Sequence, residues 1–251
     1  MSYYSHHLYC KDVIIFCLSK IFVKKPCVLR FVKSTLLYLL SMITLDSKYS
    51  TTAEYVSLFA MIALTVVAIF NKSISVFYII YLFWWDEFLK TIFDTLRYWF
   101  KKELIDDVPR FKSNTRGRMF FLFIYFVFIV LCFGFMLDWD NKDLMILNFR
   151  VLFFNNALFD FTIFSFLLRE IYLYRNQTQK IDSHSILSRG IITLHISIIL
   201  GIFAWFFLAN KFPSLKQYSA VLAITPFLLF KIFFEMAEIK ENNRLRKSSG
   251  L

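Results

Sequence analysis

Glycine and proline are scarce in this chain, at 5 and 4 of 251 residues. Its apolar runs are therefore little interrupted, which suits continuous helices. Those runs also lack the apolar–polar alternation of barrel strands, so the sequence speaks against a β-barrel and for a helical bundle. Cysteine is sparse too. Cys10, Cys17, Cys27 and Cys132 form neither a CxxC pair nor a metal-ligand spacing, and read as small hydrophobes in a reducing or membrane setting. His6, His7 and Cys10 stand near the N-terminus without a second cluster, so no metal or other cofactor is expected. The patterns GxxxxGK[ST], GxSxG and HExxH are absent, and the common soluble chemistries lose their signatures with them.

What the chain has in abundance is apolar surface. It is 58% hydrophobic, contains 33 Phe and has a mean hydropathy of +0.57, against about 45–50% apolar residues in ordinary globular chains. That composition indicates an all-α integral membrane protein. The net charge of +11, from 29 Lys+Arg against 18 Asp+Glu, comes without a nucleic-acid motif. Cytoplasmic loops of membrane proteins gather Lys and Arg, so the expected partners are anionic lipid head groups and not nucleic acid. Oligomerisation stays open.

Residues 1–48 carry Lys11, Lys20, Lys24, Lys25, Arg30 and Lys33 among Phe, Leu and Ile, a pattern expected of amphipathic helices lying in the membrane interface. The alternative is that 28–45 spans while its charges snorkel. A transmembrane domain follows over 49–236, with spans near 52–70, 74–100, 119–136, 144–168, 188–208 and 215–234, then a charged tail over 237–251. With the N-terminus, 101–118, 169–189 and the tail on the cytoplasmic side, that side holds 21 of the 29 Lys/Arg and the opposite loops four. Six spans with both ends cytoplasmic agree with the positive-inside rule.

The second span is the unusual one. Within its apolar length it carries Asp86, Glu87, Lys90, Asp94 and Arg97, although one charge at mid-membrane costs roughly 2.5–3.5 kcal/mol on insertion scales. At helical spacing Asp86, Lys90, Asp94 and Arg97 share a narrow sector, with Glu87 on its margin. Such a stripe must face the bundle interior, a watery cavity or the head groups. It serves as a self-neutralised packing network, as a site for an ion, proton or solute, or as a partner surface. Topology places Asp94 and Arg97 near the cytoplasmic head groups and Asp86, Glu87 and Lys90 deeper.

Further polar residues complete the candidate intramembrane site. Asn156 and Asp160 share a face of the fourth span, His195 sits in the fifth, and Lys231 and Glu235 pair at i,i+4 on the sixth. Asp86, Asp160, His195 and Lys231 are expected to converge on one cavity. Gly190, Ser197 and Gly201 line a common face and suit close approach of a neighbouring helix.

Three stretches resemble one family, a group of bacterial polytopic membrane proteins known only as a domain of unknown function. The stretch FWWDE at 83–87, with Thr91, Asp94 and Arg97 after it, is similar to that family's Y-W-L-E-N helix followed by Gly, Asn and Lys. Arg189 with His195, and Phe230-Lys231 with Glu235, resemble its later helices. The chain departs from the pattern at Asp86, where the family has Glu, at Glu87 and Asp94, where it has Asn, and at Thr91, where it has Gly. The resemblance covers about 74–240 and implies a helix bundle of the bacterial inner membrane, with no activity attached. The resulting expectation is a non-enzymatic membrane protein whose interior polar cluster binds or conducts an ion, proton or small solute. The alternatives are an intramembrane enzyme acting on lipid or another embedded substrate, and a scaffold for a partner protein.

Overall fold

The computed structural model describes residues 50–71, 73–136, 139, 141–177, 181, 188–211 and 219–248. The interfacial helices expected over 1–48 lie outside these residues. Every regular element described is helical: α1 (Ser50–Phe70), α2 (Val76–Phe100), α3 (Val108–Phe128), α4 (Lys142–Leu152), α5 (Ala157–Arg175), α6 (Arg189–Lys211) and α7 (Ser219–Ser248). A short 3₁₀ turn, Lys102–Leu104, follows α2, and α3 continues as a π-helix over Ile129–Met136. Three segments are long and apolar enough to cross a membrane: Thr52–Phe70, Val108–Met136 and Lys142–Arg175.

The architecture centres on α2. Its stretch from Phe77 to Trp84 is buried on every side, as a helix apolar all round must be. The helices α3, α5, α6 and α7 pack against it, and α1 lies behind, against α5 and α7. Tyr81 stacks on Phe77, Trp84 and Phe159 with ring centroids 5.2, 5.8 and 5.4 Å away. The Trp84 indole N–H donates to the Leu122 carbonyl at 2.7 Å and ties α2 to α3.

At the start of α2, Ser75 is the N-cap and accepts from the Tyr78 amide at 3.1 Å. Its hydroxyl donates to Asn148 Oδ1 at 2.6 Å, and Asn148 Nδ2 donates to the Phe133 and Gly134 carbonyls of the π-helix at 3.3 and 3.4 Å. Phe133 and Gly134 lie in the last turn of that helix, where carbonyls lack intrahelical donors, and Asn148 supplies the missing N–H groups.

The fourth span, expected as one helix over 144–168, is broken. Phe154 takes the left-handed conformation with φ 55°, and Asn156 caps α5 by accepting from the Phe159 amide at 3.3 Å. A left-handed residue ends one helix, and an Asn cap starts another. At 11 residues, α4 is about 16 Å long and falls short of a ~30 Å core; α5 is the long member.

The opposite end departs from expectation as well. Segment 101–118, read as a loop, is helical from Val108, with Asp107 as N-cap and Pro109 in the first turn. The charged segment after 236 continues α7 to Ser248. Ile181 donates to the Leu104 carbonyl at 2.7 Å and accepts from the Asp106 amide at 3.2 Å. Ile105, Phe111 and Ile181 form a small satellite core there, clasping the α2–α3 and α5–α6 connections together.

Candidate functional site

The charged half of α2 faces α3, α5 and α7, and each of these supplies counter-charges. Asp86 meets Arg169 of α5 at 2.6 Å, and Arg169 meets its neighbour Glu170 at 3.0 Å. Glu170 faces Arg97 at 3.9 Å, and Arg97 bonds Asp94 at 2.8 Å. Asp94 bonds Arg118 of α3 at 2.7 Å, and Arg118 faces Glu87 at 3.8 Å. Glu87 lies 3.4 Å from Lys90, which lies 3.6 Å from Asp86. Acid and base alternate without a break, so the eight side chains form a closed ring. An unpaired buried charge is prohibitively costly; here every one has opposite charges on both sides.

Helix α7 braces the ring at Asp86. Lys231 is ion-paired with Asp86 and lies 2.7 Å from Glu235. Glu235 in turn lies 3.3 Å from Lys90 and 3.5 Å from Arg169, and Glu238 lies 3.6 Å from Lys90. Asp86 and Lys231 are the sealed heart of the assembly, 0% and 2% exposed. It emerges at Lys90 and Glu238, whose side chains are 15% and 36% exposed. The eleven residues number six acids and five bases, a formal charge of −1 when all are ionised.

The first turn of α6 closes one flank. Ser188 donates to Glu87 Oε2 at 3.2 Å, and a Cβ on Gly190 would stand 1.7 Å from Glu87 Oε1. Glycine is needed there because the carboxylate occupies the side-chain position. At the end of α2, Lys101 donates to the Tyr174 and Gln177 carbonyls, a cation on the C-terminus of α5. Burial, and after it the adjacent Arg97 charge, holds the Lys101 ammonium below the ordinary lysine pKa.

Of the residues singled out in the sequence, the structure brings Asp86, Glu87, Lys90, Lys231 and Glu235 together. It does not bring Asn156, Asp160 or His195 to them. Asn156 is committed to capping α5 and donates to the Ser73 carbonyl at 3.4 Å. Asp160 lies in the first turn of α5, nine residues and about 13 Å along the helix from Arg169. His195 is on the outside of the bundle, with Nδ1 3.1 Å from the Tyr125 hydroxyl. Convergence on one place thus holds for Asp86 and Lys231, and fails for Asp160 and His195. Arg118, Arg169 and Glu170 enter as residues sequence reasoning assigned to loops. The signal for them was the surplus of acid on α2, three carboxylates against two bases.

Among the described residues no group of three or more His, Cys, Asp or Glu side chains is arranged to hold a metal ion. No curated protein and no solved structure matches the chain. A family model does match, over residues 44–250, and that span takes in all seven of the described α-helices. The chain belongs to the family of unknown function DUF6498.

Proposed function

We propose that the protein is a non-enzymatic, multi-pass bundle of the bacterial inner membrane whose buried charge network binds a proton from the cytoplasmic side. In this reading α1, α2, α3, α5, α6 and α7 cross the bilayer, both chain ends are cytoplasmic, and the basic segment 1–48 lies on the anionic surface. Support comes from the three long apolar segments, from the complete burial of the middle of α2, and from the outward apolar face of α3, with Phe120, Phe123 and Leu131 more than half exposed. Lipid is the medium that suits such a face.

The observation that carries the proton reading is the setting of Lys90. Its ammonium stands 3.3–3.6 Å from four carboxylates, those of Asp86, Glu87, Glu235 and Glu238. The outermost acid, Glu238, opens toward the end of the bundle that carries most of the basic residues. Lys90 draws its carboxyl pKa down, but burial and the Glu235 and Glu87 carboxylates outweigh that and hold it above the ordinary glutamate value. With one acid more than the bases present, the network gains by holding a proton there. Asp86 is wholly buried, which counts against its use on an embedded substrate.

Infrared titration of the protein in lipid tests this. A protonated carboxyl band should persist above the ordinary carboxylate range and lose intensity in Glu238→Gln. A band that this variant leaves unchanged, or carboxyls that all titrate in the ordinary range, would refute the proposal.

A further inference from the structure

We propose that Tyr125 and His195 form the seam of a symmetric homodimer within the bilayer. The two side chains are a polar couple on an otherwise apolar outer face. The Tyr125 hydroxyl lies 3.1 Å from His195 Nδ1. Around them Phe121, Ile124, Ile192 and Ile199 are 37–54% exposed. Tyr125 lies six residues past Met119, where the apolar run of α3 begins, and His195 lies six past the start of α6. Six residues of helix measure about 9 Å, which places the couple below the head groups in the bilayer reading on which this inference rests.

Neutral imidazole and phenol together leave the same remainder in either tautomer. If the hydroxyl donates to Nδ1, then Nε2–H is a free donor and the phenol oxygen a free acceptor. If Nδ1–H donates to the oxygen, the phenol O–H is the free donor and Nε2 the free acceptor. Among the described residues the couple thus always offers one donor beside one acceptor. Hydrocarbon satisfies neither, and an unpaired polar group there is costly. A second copy turned about a twofold axis satisfies both, donor to acceptor and acceptor to donor, through one isologous contact. Its apolar flanks pack against their own images.

The test is energy transfer between C-terminal fluorescent fusions of the full chain in lipid vesicles, followed as lipid dilutes the protein. Two interhelical hydrogen bonds of ordinary strength correspond to about a tenfold weaker association when removed. His195→Leu and Tyr125→Phe should each show that loss. His195→Gln, which keeps a donor and an acceptor, should retain most of the transfer. Phe59→Leu, on the outer face of α1, should leave it unchanged. Flotation of the vesicles is measured alongside. A chain that floats with them yet shows no transfer, or transfer that His195→Leu leaves intact, overturns the seam and means that the couple faces lipid or another protein. A chain left out of the vesicles overturns the bilayer reading together with the seam.

Discussion

Asp86 faces Arg169, Lys231 and Lys90, and its carboxylate is wholly buried among them. Removing one member of such a set leaves the others as uncompensated charge, at a cost of about 3–5 kcal/mol. Asp86→Asn should lower unfolding stability in detergent by that order. Adding Lys231→Met withdraws the surplus cation, so the double variant should recover part of the loss, with a coupling of about 0.5–3 kcal/mol in the cycle. Additive effects would mean that the two groups do not share one ion pair. At this scale the sequence was readable where charges repeat on one helix: Asp86, Glu87, Lys90, Asp94 and Arg97 announce a common face. It was unreadable where a polar residue has a local duty. Asn156 is a cap, and its place after an apolar run looks like mid-span in the sequence.

Among elements, α6 is fixed by how closely its first turn meets Glu87. Gly190→Ala must push the Glu87 carboxylate away from Ser188 and Arg118. A strained or emptied contact of that kind costs about 1–3 kcal/mol. Gly134→Ala is the contrast, because its added Cβ meets nothing closer than 3.4 Å, an edge of Phe77. The first variant should lower the thermal midpoint clearly and the second hardly; equal effects would refute the close approach. The Gly190–Ser197–Gly201 face was visible as helical spacing of small residues, and Gly201 duly meets the Phe133 ring, within 2.7 Å of its missing Cβ. Element boundaries were less visible. Arg118, Arg169 and Glu170 stand where apolar runs end, and hydropathy alone stops a helix there although the backbone continues to pair. The break at 153–156 depends on one left-handed residue, Phe154, which no apolar count registers.

For the whole molecule, the distribution of Lys and Arg implies one orientation in the bilayer reading proposed above. A reporter active only in the cytoplasm, fused after residue 251, should work, and one that needs export should stay silent. The reverse result would dismiss the six-crossing topology. The number of long helices was legible because each apolar run is bounded by charge. The order in which they surround α2 was not, since nothing local to α2 says that α5 and α7 bring its counter-charges and α3 another.

That separation along the chain has a consequence for biosynthesis. α2 is made with a net charge of −1, and α3 follows soon with Arg118. Arg169 and Lys231, which neutralise the deepest carboxylate, are synthesised 83 and 145 residues after Asp86. In the bilayer reading proposed above, α2 carries uncompensated charge until α5 and α7 are made, so its stable packing waits for them. On that reading, assembly of this bundle is a late, concerted event and not a helix-by-helix release into lipid.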